Sequence, residues 1–442
     1  MVLSGSRTYV GFGFGPIQGG LLLTEAFLSG NFRRLVAAEI RPELIRPVRQ
    51  ADGMFTVNVA APEGVRSHKV GPIEIYDVSV PADQEKLVEA LAEAEDIGTA
   101  VTSVNDFTLP QGRGLHQLLA EGLRRKAARR GPRAAVYAAE NHNFAAQILK
   151  AHVEGVLSLD ELAAVRPWAT FLDTVVGKMC GVVTDADRIR DQGLATVTPW
   201  DSRAFLVEEF NHVLVSRPVF DGAPPGTTFQ PGLHVIEQKD DLLPFSEAKL
   251  YGTNATHALA AYVGAMLQLH FIAELASVPG AVEFLRAAFV EESGAALRVK
   301  YAGLDPLFTE DGYRRYAEDL IQRMLNPHLK DTVKRLGRDC ERKLRWDDRL
   351  VGTIRLALSQ GVRPRRYVFG AAAALAVLDK ATIGDPARVE RTLRTIWGDA
   401  AANVSRGDCA GERRAVLDLV CDATQRLKSW LDAGRPRLDN LP

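Results

Sequence analysis

The chain of 442 residues is poor in cysteine, and the few it has are scattered. Cys180, Cys340, Cys409 and Cys421 form no C-x-x-C pair. That excludes a thiolate zinc site or a disulfide framework and points to a reducing, cytoplasmic setting. Net charge is lacking as well: 54 Lys and Arg stand against 55 Asp and Glu. No nucleic-acid partner is expected from such a balance, and the basic segment Arg124-Arg125-Lys126-Ala-Ala-Arg129-Arg130 reads as a solvated helix end. No run of about 18 apolar residues occurs, so no membrane partner or span is expected. The first residues lack a basic start followed by a cleavable apolar stretch, which again fits a cytoplasmic protein. Repeats and low-complexity tracts are missing too. What remains is an ordinary globular chain, long enough for roughly two or three domains.

Turning to what is there, Thr8-Tyr-Val-Gly11-Phe-Gly13-Phe-Gly15 reads as a buried strand running into a glycine turn. Pro16-Ile17-Gln18-Gly19-Gly20 and an apolar helix follow, then a second strand, Leu35-Val-Ala-Ala-Glu39, that ends in an acid. Strand, glycine turn, helix, strand, acid is the order of a dinucleotide-binding unit. A pyrophosphate must approach the backbone closely at a helix N-terminus, where free N–H groups and the dipole favour an anion. Gly13, Gly15, Pro16, Ile17 and Gln18 are the expected cofactor contacts, with Glu39 on the adenosine ribose and Asn105 at the end of a later buried strand. Gln18 stands where the third glycine of G-x-G-x-x-G belongs. Glu39 favours NAD, and Arg41 leaves NADP as the alternative.

Further along, 54–59 and 73–80 alternate like exposed antiparallel strands. Segments 97–104 and 134–139 read as buried strands, with Glu140-Asn141-His142-Asn143 closing the second at the end where open parallel sheets bind ligands. The loop 221–232 is the expected flexible connection. Beyond residue 241 helical periodicity prevails, over 244–272, 279–300, 309–325, 327–338, 347–359, 366–379, 386–397 and 410–433. The expected architecture is α/β: an N-terminal Rossmann-like dinucleotide-binding domain with added strands (1–240) and a mostly α-helical C-terminal domain (241–442).

That second domain opens with Lys249-Leu-Tyr-Gly-Thr-Asn254-Ala-Thr-His257. At about 100° per residue these three polar residues fall at roughly 0°, 140° and 80°, within one broad face. A buried lysine can act as a base, an asparagine can donate to a developing alkoxide, and a histidine can hold a hydroxyl.

Several motifs together resemble one family, the polyol-specific long-chain dehydrogenases, also called the mannitol dehydrogenase family. Its K-x4-N-x2-H signature stands as Lys249, Asn254 and His257, and its strand-end turn as Glu140-Asn141. Its E-S-G-A-x-L helix stands as Glu292-Ser293-Gly294-Ala295-Ala296-Leu297. The run Asn326-Pro-His-Leu-Lys330-Asp331 through Arg342-Lys343-Leu344, with Asp348-Arg349-Leu350, resembles the sugar-phosphate branch. The resemblance implies metal-independent NAD(P) hydride transfer between an alditol, or its phosphate such as mannitol 1-phosphate, and a ketose. Lys249 would be the base, Asn141 and Asn254 would donate to the reacting oxygen, and His257 would orient it. Arg338, Arg342 and Lys343 are the candidates for a substrate phosphate.

Gly177 stands where the family carries a substrate-contacting acid, so hydroxyl recognition is expected to differ. The alternative is an isomerase or epimerase that oxidises and re-reduces its substrate on tightly held NAD, with Gln18 as its motive. A non-catalytic sugar-phosphate binder would have no use for a general base. A monomer is the default, with a dimer as the alternative.

Overall fold

The structure is a computed structural model and describes residues 3–109, 113–142, 144–398 and 410–438; Asn143 and Cys409 lie outside them. The chain divides into two compact units, Met1–Leu243 and Pro244–Pro442.

The first unit begins with β1 (Arg7–Phe12), β2 (Phe32–Glu39), β3 (Phe55–Ala61), β4 (Gly64–Val70), β5 (Glu74–Asp77) and β6 (Asp96–Thr99). It continues with β7 (Ala134–Ala138), β8 (Ala169–Val176), β9 (Cys180–Val183), β10 (Ala204–Glu208), β11 (Val213–Ser216) and β12 (Ile236–Lys239). Eight of them form one sheet in the order β12-β11-β8-β7-β6-β1-β2-β5. From β8 to β5 every pairing is parallel, and β11 reverses against β8. Residues such as Val10, Val36, Ala37 and Val136 are fully buried, as a sheet covered on both faces requires. Chain order turns back between β1 and β6, and crevices for ligands form at the carboxyl ends of strands at such a switch point.

A second sheet, β4-β3-β10-β9, packs on the helix that follows β1. A Cβ on Gly19 would come within 2.7 Å of the Phe205 ring, and one on Gly20 within 2.6 Å of Val207. These two glycines exist for that contact.

Several expectations are corrected. β5 is not an exposed antiparallel strand: it pairs parallel with β2 at the sheet edge, and alternation alone does not reveal a partner's direction. The loop 221–232 lies within the first unit, where Gly232 N donates to both Asp96 carboxylate oxygens at 3.0 and 3.2 Å. In the basic helix Leu115–Arg129, Arg125 and Arg129 are paired with Glu85 and Glu89, but Lys126 is fully buried. Its Nζ donates to the carbonyls of Ala92, Ala94 and Pro132, capping the end of helix Pro81–Glu93.

The second unit is helical. Ala255–Met266 packs against Arg365–Leu378 so closely that a Cβ on Gly370 would meet Leu259 at 2.6 Å. Small residues, Ala258, Ala260 and Ala261 against Ala371 to Ala374, make that approach feasible. The expected helix 327–338 is only Val333–Gly337, capped by the Thr332 side chain. Lys330 has φ +46, outside the right-handed helical region, and so breaks the run before Thr332. Among the described residues of this unit, Ala248–Asn254 and Ala288–Ser293 are π-helical.

Candidate functional site

In the first unit a cavity of about 670 Å³ opens at the carboxyl ends of β1, β2 and β6. Gly13, Phe14, Gly15, Pro16, Ile17 and Glu39 line it, together with Val101, Thr102 and Ser103 after β6. Gly13 has φ +86, and a Cβ there would meet the Ala100 carbonyl at 2.8 Å, so only glycine fits the turn. A Cβ on Gly15 would meet nothing within 4 Å, which leaves open space against the backbone. The helix that begins here has its first turns in π geometry, Gln18–Leu23, before Thr24–Ser29. A glycine cradle at a helix start is what a pyrophosphate needs.

Two expected cofactor residues do not line this cavity. Gln18 is fully buried, and its Nε2 donates to Tyr9 Oη at 2.7 Å over Gly11. Its side chain therefore fills the space between helix and β1 that a third glycine would close. Asn105 is exposed on the short turn Val104–Thr108, while Ser103 and Asp106, which cap that turn, face the cavity. Asn141 is exposed just past β7. The adjoining Glu140 carboxylate is buried against Thr99 Oγ1 (2.9 Å) and Val101 N (3.0 Å), and burial pushes it up to about 7.

In the second unit, Lys249 and Asn254 sit in the π-helical segment and His257 one turn into the following α-helix. The wider π turn brings residues five apart nearer to one face than α geometry does, and His257 is one i,i+3 step from Asn254. All three are half-buried, whereas Gly252, Thr253, Ala255, Thr256 and Ala258 are buried. Leu250 and Tyr251 are half-buried as well, so the three polar residues share the partly exposed positions of this helix with them. Protein packed around the Lys249 amine lowers its pKa to about 8, helped by the Arg349 charge. Burial, with Arg323, Arg335 and Arg349, drops His257 to about 3, so its ring is neutral. His257 Nε2 is buried and has no hydrogen-bond partner, as a group awaiting a ligand would be.

Arg349 stands in the run that resembles the sugar-phosphate branch, with no role of its own expected from the sequence. It precedes helix Val351–Ser359, and Thr353 Oγ1 donates to its carbonyl (2.5 Å) and to that of Tyr251 (3.2 Å). That bridge fixes Arg349 near the Lys249 turn. Nothing local in Asp348-Arg349-Leu350 distinguishes it from a solvated pair.

Of the phosphate candidates, Lys343 is buried, with Nζ donating to the Leu336 and Arg338 carbonyls and lying 5.5 Å above the Tyr262 ring. It holds the chain rather than a ligand. Arg338 is exposed beside Asp339 at 3.8 Å. Arg342 is half-buried, 3.6 Å from Asp348 and 3.9 Å from Asp339, distances at which a stronger anion could replace either acid.

The Glu292-Ser-Gly motif supports the Lys249 helix from behind. Glu292 accepts from Arg366 N (2.9 Å) and Tyr367 N (3.2 Å) at the start of helix Arg365–Leu378. Tyr367 Oη reaches both Ser293 Oγ (3.2 Å) and Thr256 Oγ1 (2.8 Å). A Cβ on Gly294 or Gly252 would strike Tyr313.

A doubly covered parallel sheet with a glycine cradle at its switch point is the plan of a dinucleotide-binding domain, and in this chain a helical unit carrying a desolvated amine comes after it. Residues 241–392 match the mannitol dehydrogenase C-terminal domain. A mannitol-1-phosphate 5-dehydrogenase from Brevibacillus brevis is 27% identical over 418 residues, covering 92% of this chain and 99% of that one. Among solved structures, a D-sorbitol dehydrogenase in substrate-free form aligns with a TM-score of 0.71 at 14% identity, over 99% of this chain and 96% of its own. Pseudomonas fluorescens mannitol 2-dehydrogenase, in ternary complex with NAD and D-mannitol, aligns at 0.67 and 15% identity, over 98% and 94%. The chain thus resembles the mannitol dehydrogenase family over nearly its whole length, and within that likeness residues 241–392 match the model of that family's C-terminal domain.

Proposed function

We propose that this chain is an NAD-dependent dehydrogenase interconverting a sugar-alcohol or cyclitol phosphate and the corresponding ketose phosphate, with Lys249 as general base. The observation that carries the reading is the desolvated Lys249 amine on one helical stretch with Asn254 and the unpartnered His257 Nε2. The names of the relatives, mannitol-1-phosphate 5-dehydrogenase, D-sorbitol dehydrogenase and mannitol 2-dehydrogenase, support a polyol substrate.

NAD, when bound, supplies the hydride acceptor; Gly13, Gly15, Pro16 and Ile17 are the residues that would hold it, and their open glycine cradle fits a pyrophosphate. Lys249, neutral above about pH 8, takes the proton from the hydroxyl whose carbon loses hydride. Asn254 donates to that oxygen as negative charge grows on it, and Asn141 is the second amide of matching chemistry. Fixed donors of this kind are worth about 3 kcal/mol each in acyl-transfer sites. Neutral His257 bonds a substrate hydroxyl through Nε2 and so orients it. Arg342, with Arg349, offers the cationic end for a phosphate dianion. The isomerase alternative loses its motive, since Gln18 turns to Tyr9 instead of the cavity.

The test is a panel of alditol, cyclitol and ketose phosphates and their dephosphorylated forms, followed by NADH absorbance. Steady NADH production from a phosphorylated polyol supports the reading. Product formed without net cofactor change would replace it with the isomerase.

A further inference from the structure

Glu39 closes β2 with a carboxylate that is 3% exposed and already engaged on both oxygens. Oε2 accepts from Phe14 N (2.8 Å) and Arg41 Nη2 (3.1 Å). Oε1 accepts from Ile40 N (2.8 Å), Arg41 N (3.2 Å) and Arg41 Nε (3.1 Å). The guanidinium therefore lies side-on to the acid, and half of the Arg41 side chain is exposed. Arg41 lines the same cavity as Gly13 and Gly15.

A bare carboxylate at this place in a dinucleotide fold accepts from the ribose 2′-hydroxyl and repels a 2′-phosphate. Here the acid is covered by the cation next to it. A guanidinium has five donors, so Nε and Nη2 can stay on Glu39 while Nη1 serves a second acceptor. Arg113 lines the cavity as well, as does Arg203, which is held by Asp201 at 2.6 and 2.9 Å; Glu39 and Asp106 are the acids of the lining. Asp106 accepts from Ser103 N at 3.0 Å, and among the described residues no guanidinium covers it, so the cations of the cavity face one uncovered acid.

We propose that Arg41 makes the nucleotide site dual, taking the 2′-phosphate of NADP(H) as well as the 2′-hydroxyl of NAD(H). This rests on the nucleotide site of the proposed function. It assigns Glu39 a positioning role, holding Arg41 in place from beneath.

The experiment is calorimetric titration of the full chain, without polyol, using NAD+, NADP+ and adenosine 2′,5′-bisphosphate. Both dinucleotides should bind with dissociation constants within about tenfold of each other. Arg41→Met should weaken NADP+ and the bisphosphate by about tenfold or more while NAD+ changes less than about threefold, and Arg41→Lys should recover part of the loss. NAD+ binding without NADP+ binding overturns the inference and leaves the proposed function standing; so does an equal loss of both in Arg41→Met. Binding of neither dinucleotide overturns both. The parent titrations decide whether the site is dual, and Arg41→Lys against Arg41→Ala decides whether Arg41 is the residue if Arg41→Met does not fold.

Discussion

Lys249 and Asn254 lie at nearly opposite ends of one stretch of π-helix, Ala248–Asn254. In an α-helix they would point about 140° apart. The looser turn draws the amine and the amide toward one side, and the α-helix that resumes at Ala255 adds His257 one step further on.

That bulge needs a residue without a side chain on its far face. A Cβ on Gly252 would lie 2.6 Å from the Phe289 ring and 2.7 Å from Tyr313 Oη. Both rings are buried and packed edge to face with centroids 5.5 Å apart, so neither can yield cheaply. Gly252→Ala should cost about 1–3 kcal/mol of stability and lower kcat, measured by thermal unfolding and steady-state rates. An unchanged unfolding midpoint would show that the two helices are looser than the structure has them.

The pH profile follows from the buried Lys249 amine. Burial is the larger cause of the lowered Lys249 pKa, and the Arg349 charge adds to it. In the proposed reaction the oxidation needs the free amine, so kcat/KM should rise with pH and level off above about pH 8. Removing a neighbouring cation favours the protonated lysine, so Arg349→Met should move that rise to higher pH. A shift to lower pH would place the titrating group elsewhere.

Much of this was legible in the sequence. The glycine turn, the helix after it and Glu39 follow from a strand period switching to a helix period around residues that only a tight turn accepts. Lys249, Asn254 and His257 were legible from chemistry and spacing. Their geometry was not, because a π turn leaves no mark on hydrophobic periodicity. Lys126 read as a solvated cation and Lys343 as a phosphate ligand, since the carbonyls that hold each Nζ belong to chain segments whose approach no local pattern announces. Gln18 looked like a damaged fingerprint. It is a packing residue, and Gly19 and Gly20 answer to a second sheet whose β9 and β10 come more than a hundred residues later.

Lys343 and Arg342 should separate cleanly. Lys343→Ala removes a buried amine from two carbonyls and should lower the unfolding temperature, leaving acceptors unpaired at about 1–3 kcal/mol. Arg342→Ala should leave that temperature nearly unchanged, since exposed ion pairs contribute roughly 0–1 kcal/mol. It should instead raise KM for a phosphorylated substrate far more than for the dephosphorylated form. Equal effects on both substrates would remove Arg342 from phosphate recognition.

Glu292 is predicted to matter for folding and not for chemistry. Its carboxylate holds two backbone N–H groups at a helix start, and burial has pushed it up to about 7. Glu292→Ala should destabilise by about 1–3 kcal/mol while the folded fraction keeps its pH profile. A changed profile would make it part of the titrating site.

The central claim is that the Lys249 amine takes the substrate proton. Single-turnover hydride transfer in Lys249→Ala, with NAD+ affinity measured on the same sample, tests it most directly. The account predicts a rate lower by about two to four orders of magnitude, with NAD+ bound as in the parent. Hydride transfer at the parent rate, with the parent's pH dependence, would contradict it.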